Sequence, residues 1–153
     1  MLTRHPPGIS GYTAQFDFIV ISNKFICILE TKMLNGDIMV NRDGDFIRIY
    51  KNKYGKVIKR EGMYSPVAQN ERHVRILKEI LAKANLVHTM SYYSLVVIAN
   101  PITILDKEHC PEHISKQIYR YDQIVPYLTE KQNDKANVKN VLRKVHVGYS
   151  QLY

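Results

Sequence analysis

The sequence has few cysteines and no long apolar run. Cys27 and Cys110 are its two cysteines; they lie far apart, and Cys27 stands inside an apolar stretch. This pattern is typical of reduced thiols in a cytoplasmic protein and not of a disulfide framework. No apolar run approaches the roughly 18 residues of a membrane span, and no signal-peptide core follows Met1. A membrane partner is therefore not expected.

Acidic residues are scarce relative to basic ones. The chain has 153 residues, with 22 Lys and Arg against 14 Asp and Glu, and a formal net charge of +8. This length suffices for one domain with its own hydrophobic core, so residues 1–153 are predicted to form a single domain. The oligomeric state is left open by the sequence.

One segment, residues 46–60, has no acidic residue at all. Basic side chains that alternate with aromatic ones suit a polyanion, because cations contact phosphates and rings stack on bases. The segment therefore predicts a nucleic-acid-binding surface, and a solvated hairpin is the alternative. Its basic residues, which stand among Tyr50 and Tyr54, are Arg48, Lys51, Lys53, Lys56, Lys59 and Arg60.

Apolar stretches separated by turn signals predict an antiparallel series of strands after an irregular segment, 1–11. The strands are expected over 12–22, 25–33, 38–41, 46–50 and 57–59. Apolar residues at helical spacing follow and predict one helix, with Ser65 as its N-cap, Pro66 at its first position and its end near Ala84. The apolar run 93–99 predicts a strand buried on both faces. A strand over 113–119 and helices over 121–130 and 134–145 complete the expected elements.

Charged side chains interrupt the first two strands where burial should exclude them. Glu30 and Lys32 are two residues apart, so a strand presents them on one face, and Gln15 and Asp17 share that spacing. Unpaired buried charges are costly, so carboxylates that meet there need a compensating ion or a function. A divalent cation held by Asp17 and Glu30 would meet this need. The alternative is an ion pair in which Lys32 neutralises one acid.

Asp17, followed on the next strand by Glu30-Thr31-Lys32, resembles the D…E-x-K signature of the PD-(D/E)XK nuclease superfamily. The surrounding sequence resembles one member family, the nuclease-related domain (NERD). Residues 15–20 (QFDFIV) resemble its Q-I-D-H-I-V strand, and residues 28–32 (ILETK) its V-I-E-T-K strand. Residues 35–38 (NGDI) resemble its glycine turn, and residues 65–70 (SPVAQN), with His73 downstream, its N-P-x-x-Q helix start. The likeness covers residues 12–127.

The resemblance implies an α/β fold with a central mixed β-sheet flanked by helices, as in a restriction-endonuclease-like core. It also implies metal-dependent cleavage of nucleic acid, with DNA favoured over RNA. Asp17, Glu30 and the main-chain carbonyl of Thr31 would bind Mg²⁺ or Mn²⁺, which prefer oxygen ligands. Lys32 would orient the attacking water or stabilise developing charge.

Two residues of the predicted helix are further candidates for this site. Gln69 would hold the water or a phosphate near the helix N-terminus, where anions are favoured. His73 lies one turn later on the same face and, like Gln15, is a candidate substrate contact, although a partly exposed helix histidine is the commoner case.

Two features depart from the family pattern. Residues 1–16 contain no acid, so the family's N-terminal helix with its glutamate is expected to be missing, either because the chain is a shortened member or because the sequence starts after that helix. Phe18 stands where the family often has histidine. Two other functions therefore stay open: a nucleic-acid-binding module with weak or no catalysis, and a protein-interaction domain whose basic surface meets an acidic partner.

Overall fold

A computed structural model describes residues 15–85 and 90–134 of the chain. Eight strands, three α-helices and one 3₁₀ turn lie in these ranges. The strands are β1 (Phe18–Ile21), β2 (Phe25–Lys32), β3 (Asp37–Val40), β4 (Phe46–Lys51), β5 (Val57–Met63), β6 (Ser91–Ile98), β7 (Leu105–Asp106) and β8 (Ile118–Arg120). The helices are α1 (Pro66–Lys83), α2 (Glu112–Ser115) and α3 (Ile124–Asn133), and the 3₁₀ turn is Tyr121–Gln123.

The strands form two sheets of four strands, in the orders β1-β2-β6-β8 and β5-β4-β3-β7. In the first sheet β1 and β2 are antiparallel, whereas β2, β6 and β8 run parallel. In the second, β3, β4 and β5 are antiparallel and β7 is parallel to β3. Both sheets are therefore mixed, and the expected α/β class with flanking helices is confirmed. The predicted continuous antiparallel series is wrong in one respect, because it divides between two sheets after β2.

Alternation along β2 decides which side chains face which helix. Phe25, Cys27 and Leu29 point to one side and pack in a buried cluster with Ile124 of α3. The intervening side chains, including Glu30, therefore project from the opposite face, towards α1. Burial raises the pKa of the Cys27 thiol to about 12. Both cysteines are free, as the sequence indicates.

A second buried cluster joins the two sheets beside the start of α1. In this cluster, apolar residues of β3 and β4 pack against β6 and β8 of the first sheet and against the first turn of α1. The second sheet therefore contacts the first sheet next to the N-terminal end of α1. The members are Ile38, Val40, Phe46, Val67, Val96, Ile98 and Ile118.

Several predicted boundaries need correction. β1 begins at Phe18, not at residue 12, and residues 12–14 lie outside the described ranges. The strand expected over 113–119 is wrong: Glu112–Ser115 is a short helix after Pro111, and the strand begins only at Ile118. The helix predicted over 121–130 is present despite Pro126, as the 3₁₀ turn and α3. The helix predicted over 134–145 lies, beyond Asp134, outside the described residues.

α1 begins as the sequence predicts. The Ser65 hydroxyl accepts a hydrogen bond from the backbone N–H of Ala68, and Pro66 occupies the first helical position. Among the described residues, no helix is both long and apolar enough to cross a membrane. The first two turns of α1 lie against β2 and β6, where Asn70 and His73 are buried.

Asn70 attaches α1 to the first sheet. Its side chain is fully buried, and its amide donates to the carbonyl oxygens of Ile28 at 2.9 Å and Leu95 at 3.1 Å. Asn70→Ala removes both donors and is expected to lower the free energy of unfolding by about 1–3 kcal/mol, measured by urea denaturation. Arg72→Ala, at an exposed position of the same helix, is the control and should change it by less than about 0.5 kcal/mol. Equal losses in the two variants would contradict this role for Asn70.

Candidate active site

Glu30 and Lys32 lie together at the carboxyl end of β2. Glu30 is 3% exposed, although it carries a carboxylate. Lys32 Nζ donates to Glu30 Oε1 at 2.6 Å, which makes an ion pair along one face of the strand. The Lys32 side chain is 22% exposed, so the pair connects a buried acid to the protein surface. A buried charge held in this way marks the end of β2 as the candidate active site.

Asp17 lies beside the same end of β2, at the point where β1 leaves the sheet. The β1–β2 ladder ends at the pair Phe18–Leu29, so Asp17 lies just beyond it, where it meets Thr31 of β2. Asp17 itself is exposed, and its Oδ2 accepts the backbone N–H of Thr31 at 2.8 Å. A residue's N–H and C=O leave a strand on the same side, so the Thr31 carbonyl faces this edge too. Two carboxylates and one main-chain carbonyl therefore belong to residues that lie at this end of the β1–β2 pair.

α1 supplies the opposite wall of the site. Gln69 lies in its first turn, and Lys32 Nζ donates to Gln69 Oε1 at 3.4 Å. Lys32 therefore bridges Glu30 on the sheet and Gln69 on the helix. No acidic residue lies in the first turn of α1, so the positive end of the helix dipole is not offset there.

His73, one turn further along α1, faces the other Glu30 oxygen. Its Nδ1 lies 3.9 Å from Glu30 Oε2, and its ring contacts the Phe16 ring at a centroid distance of 5.2 Å. The expectation of a partly exposed helix histidine is wrong, because His73 is 4% exposed. Helical spacing placed His73 on the face of Gln69, but spacing alone does not show that this face meets the sheet. Phe16 was not singled out from the sequence.

Gln15, the remaining candidate near Asp17, is exposed. No hydrogen bond joins it to the other candidate residues in the part of the chain that the structure describes. Its proposed substrate contact stays a prediction.

The oxygen donors and the buried imidazole are groups of the chemical kinds that bind divalent cations. Glu30 Oε2 faces His73 Nδ1, a buried nitrogen that has no hydrogen-bond partner. Such an unsatisfied atom next to a buried carboxylate is a place where an ion would supply the missing partner. Within residues 15–85 and 90–134, no group of three or more His, Cys, Asp or Glu side chains is arranged to hold a metal. A site here would therefore depend on the Thr31 carbonyl in addition to side chains.

The basic residues of the β4–β5 hairpin do not form one uniform surface. Lys51 Nζ lies 2.6 Å from Asp37 Oδ2, and Lys59 Nζ lies 3.4 Å from Glu61 Oε2. The charge of Lys59 lowers the pKa of Glu61 below its ordinary value. The acidic partners of both lysines come from outside residues 46–60. The hairpin therefore has fewer unpaired positive charges than the sequence of this segment indicates.

Arg48 is also engaged within the hairpin region. It donates from Nη2 to the Asn35 carbonyl at 2.8 Å and lies over the Tyr50 ring at 5.1 Å. Among the described residues, the basic side chains of segment 46–60 that form no ion pair or hydrogen bond through their charged groups are Lys53, Lys56 and Arg60. Lys53 lies over the ring of Tyr54, which is 80% exposed. The hairpin tip thus keeps the basic and aromatic pattern that the sequence predicts.

A mixed α/β fold with Asp and Glu-x-Lys at the ends of adjoining strands is the arrangement of PD-(D/E)XK nuclease-like proteins. Within that class, the chain matches the family model described as "Nuclease-related domain" over residues 3–99, which is more than half of its length. The chain therefore belongs to the nuclease-related domain family. Searches of curated proteins and of solved structures found no match.

Proposed function

We propose that this domain is a metal-dependent nuclease that hydrolyses DNA phosphodiester bonds. The observation that supports the proposal best is the buried carboxylate of Glu30, which is paired where β2 ends with Lys32, whose ammonium also donates to Gln69. A buried ion pair recovers only part of the cost of removing its charges from water, and clusters of this kind are enriched at functional sites. Membership of the nuclease-related domain family supports the same reaction class.

Asp17, Glu30 and the Thr31 carbonyl would hold Mg²⁺ or Mn²⁺, because these cations bind carboxylate and carbonyl oxygens. When bound, such an ion acidifies a water molecule and offsets negative charge on the phosphodiester. The Asp17 carboxylate is held at the β2 edge by the Thr31 N–H, which leaves its second oxygen available. Glu30 similarly gives Oε1 to Lys32 and presents Oε2 to the helix side of the site.

Lys32 and Gln69 would act on the water and the phosphate. The Lys32 ammonium lies between the Glu30 carboxylate and the Gln69 amide oxygen, so its position is set from two elements. From there it would stabilise negative charge that develops during attack. The N-terminal turn of α1, which contains Gln69 and no acid, would favour a bound phosphate.

A second candidate function is nucleic-acid binding without effective catalysis. The Lys32–Glu30 ion pair favours this reading, because the ammonium already neutralises the acid without a metal. The third possibility, a protein-interaction domain with an acidic partner, uses the basic hairpin alone. Metal binding separates the first function from the other two, and salt-dependent DNA binding separates the second from the third.

Nicking of supercoiled plasmid tests the proposed reaction directly. The domain is expected to nick it slowly with Mn²⁺ or Mg²⁺ and not at all in the presence of a chelator. Binding of DNA without nicking, together with no heat of Mn²⁺ binding, would reject the nuclease and leave the binding module.

The three basic residues of the β4–β5 hairpin whose charged groups are unpaired among the described residues provide a separate prediction about DNA binding. Replacing Lys53, Lys56 and Arg60 with Gln is expected to weaken binding to duplex DNA. Each phosphate contact contributes about 0.9 to the slope of log K against log salt, so the slope should fall by about 2.7 if all three contact phosphate. Fluorescence anisotropy at several salt concentrations measures both quantities.

The matched control removes the same charges from elsewhere. Arg75, Lys83 and Lys116 are exposed and lie outside the hairpin, and replacing them with Gln also removes one Arg and two Lys charges. This control should leave the slope nearly unchanged. Equal slopes in the hairpin and control variants would assign DNA binding to another surface.

A further inference from the structure

The buried imidazole of His73 has a polar atom that the fold leaves without a partner. Its Nδ1 is buried and makes no hydrogen bond, although His73 is only 4% exposed. The nearest acidic oxygen is Glu30 Oε2 at 3.9 Å, which is too long for a hydrogen bond. Glu30 is itself 3% exposed, and because Lys32 binds its Oε1, the buried Nδ1 without a partner faces the second oxygen of this carboxylate across a short gap.

The width of this gap is compatible with a shared metal ion. When metal–nitrogen and metal–oxygen bonds are each about 2.1 Å, two ligands of one ion stand no more than about 4.2 Å apart. The 3.9 Å between His73 Nδ1 and Glu30 Oε2 lies within that limit. Phe16 packs edge-on against the His73 ring and helps to hold its plane, as an ordered ligand requires.

We propose that His73 Nδ1 is a further ligand of the cation held by Glu30, and that it makes the site select Mn²⁺ or another first-row transition ion over Mg²⁺. This inference rests on the proposed function, since it concerns the ion of the same site. Imidazole nitrogen binds transition ions well, whereas Mg²⁺ and Ca²⁺ prefer an all-oxygen set. The neighbouring Lys32 occupies Glu30 Oε1, so Oε2 is the oxygen left for an ion beside His73.

The test measures nitrogen coupling to bound Mn²⁺ by pulsed electron paramagnetic resonance, alongside calorimetric titration. The wild-type domain with Mn²⁺ should show the coupling of one imidazole nitrogen. Labelling the protein with ¹⁵N-histidine should change that coupling to the ¹⁵N pattern, which requires no substitution and therefore no assumption about folding. His73→Gln should abolish it and weaken Mn²⁺ binding by at least about tenfold. Mg²⁺ affinity should change by less than about twofold, because Mg²⁺ gains little from imidazole.

His113→Gln is the matched control, because His113 is an exposed histidine of α2 and has no contact with Glu30 or Lys32 among the described residues. It should leave both the coupling and the two affinities unchanged. Mn²⁺ binding that depends on Glu30 but shows no histidine nitrogen coupling would overturn this inference and leave the proposed nuclease site in place. No Mn²⁺ binding, or binding unaffected by Glu30→Gln, would overturn the proposed function and this inference together.

Discussion

Glu30→Gln is expected to abolish the heat of Mn²⁺ binding and DNA cleavage together. The substitution keeps the shape of the side chain and removes its charge, and the buried carboxylate is the central ligand of the proposed site. Because the partner of Lys32 at 2.6 Å loses its charge, some loss of stability is also expected, and circular dichroism must first show that the variant is folded. Isothermal titration with Mn²⁺ and a plasmid-nicking assay measure the two losses.

Glu79→Gln is the control for this experiment, since Glu79 is an exposed residue of α1. It removes the same charge and should leave Mn²⁺ binding and cleavage at wild-type levels. Identical Mn²⁺ heats for the wild type and Glu30→Gln would mean that Glu30 holds no metal. The Lys32–Glu30 contact would then be the structural ion pair that the sequence left as an alternative.

Asp17→Asn extends the same prediction to the second carboxylate. An Asn side chain can still accept the Thr31 N–H, so the hydrogen bond seen at 2.8 Å is preserved while the charge is lost. The variant should therefore bind Mn²⁺ weakly and cleave poorly without unfolding the edge of β2. Wild-type Mn²⁺ affinity in Asp17→Asn would remove Asp17 from the proposed ligand set.

The parts of the fold that follow from local rules could be predicted from the sequence. Two-residue periodicity placed Glu30 and Lys32 on one face of a strand, and the structure brings their charged groups together. Ser65 and Pro66 start α1 because a hydroxyl cap and a fixed φ suit the first turn of any helix. The family pattern was recognisable for the same reason, since its motifs occupy these local elements.

Other features depend on contacts between distant parts of the chain, and the sequence could not supply them. Helical spacing does not say which face of α1 meets β2, so the burial of His73 against Glu30 was missed. The charges of Lys51 and Lys59 are paired because neighbouring segments bring Asp37 and Glu61 to them. Division into two sheets likewise follows from the parallel pairing of β2 with β6, which lies far along the chain.

Lys32→Met is expected to lower the rate of DNA cleavage by about 10²–10³-fold while Mn²⁺ binding is retained. Methionine keeps much of the apolar stem and removes the ammonium, which is the group proposed to act on the developing negative charge. Removing the ammonium also frees Glu30 Oε1, so Mn²⁺ affinity should stay equal or increase. Single-turnover cleavage at saturating Mn²⁺ measures the rate, and calorimetry measures the affinity.

The contrast between Lys32→Met and Glu30→Gln separates a group that acts on the reacting atoms from a metal ligand. A ligand variant loses rate because it loses the ion, whereas Lys32→Met should lose rate although the ion is bound, since Mn²⁺ cannot replace the ammonium of Lys32. Gln69→Ala should have a smaller effect than either, because its contact with Lys32 is longer, at 3.4 Å. Lys83→Met, at an exposed position of α1, should leave both rate and affinity unchanged.

If Lys32→Met instead loses Mn²⁺ affinity in step with its rate, then Lys32 serves to position Glu30, and the role in stabilising the transition state is wrong.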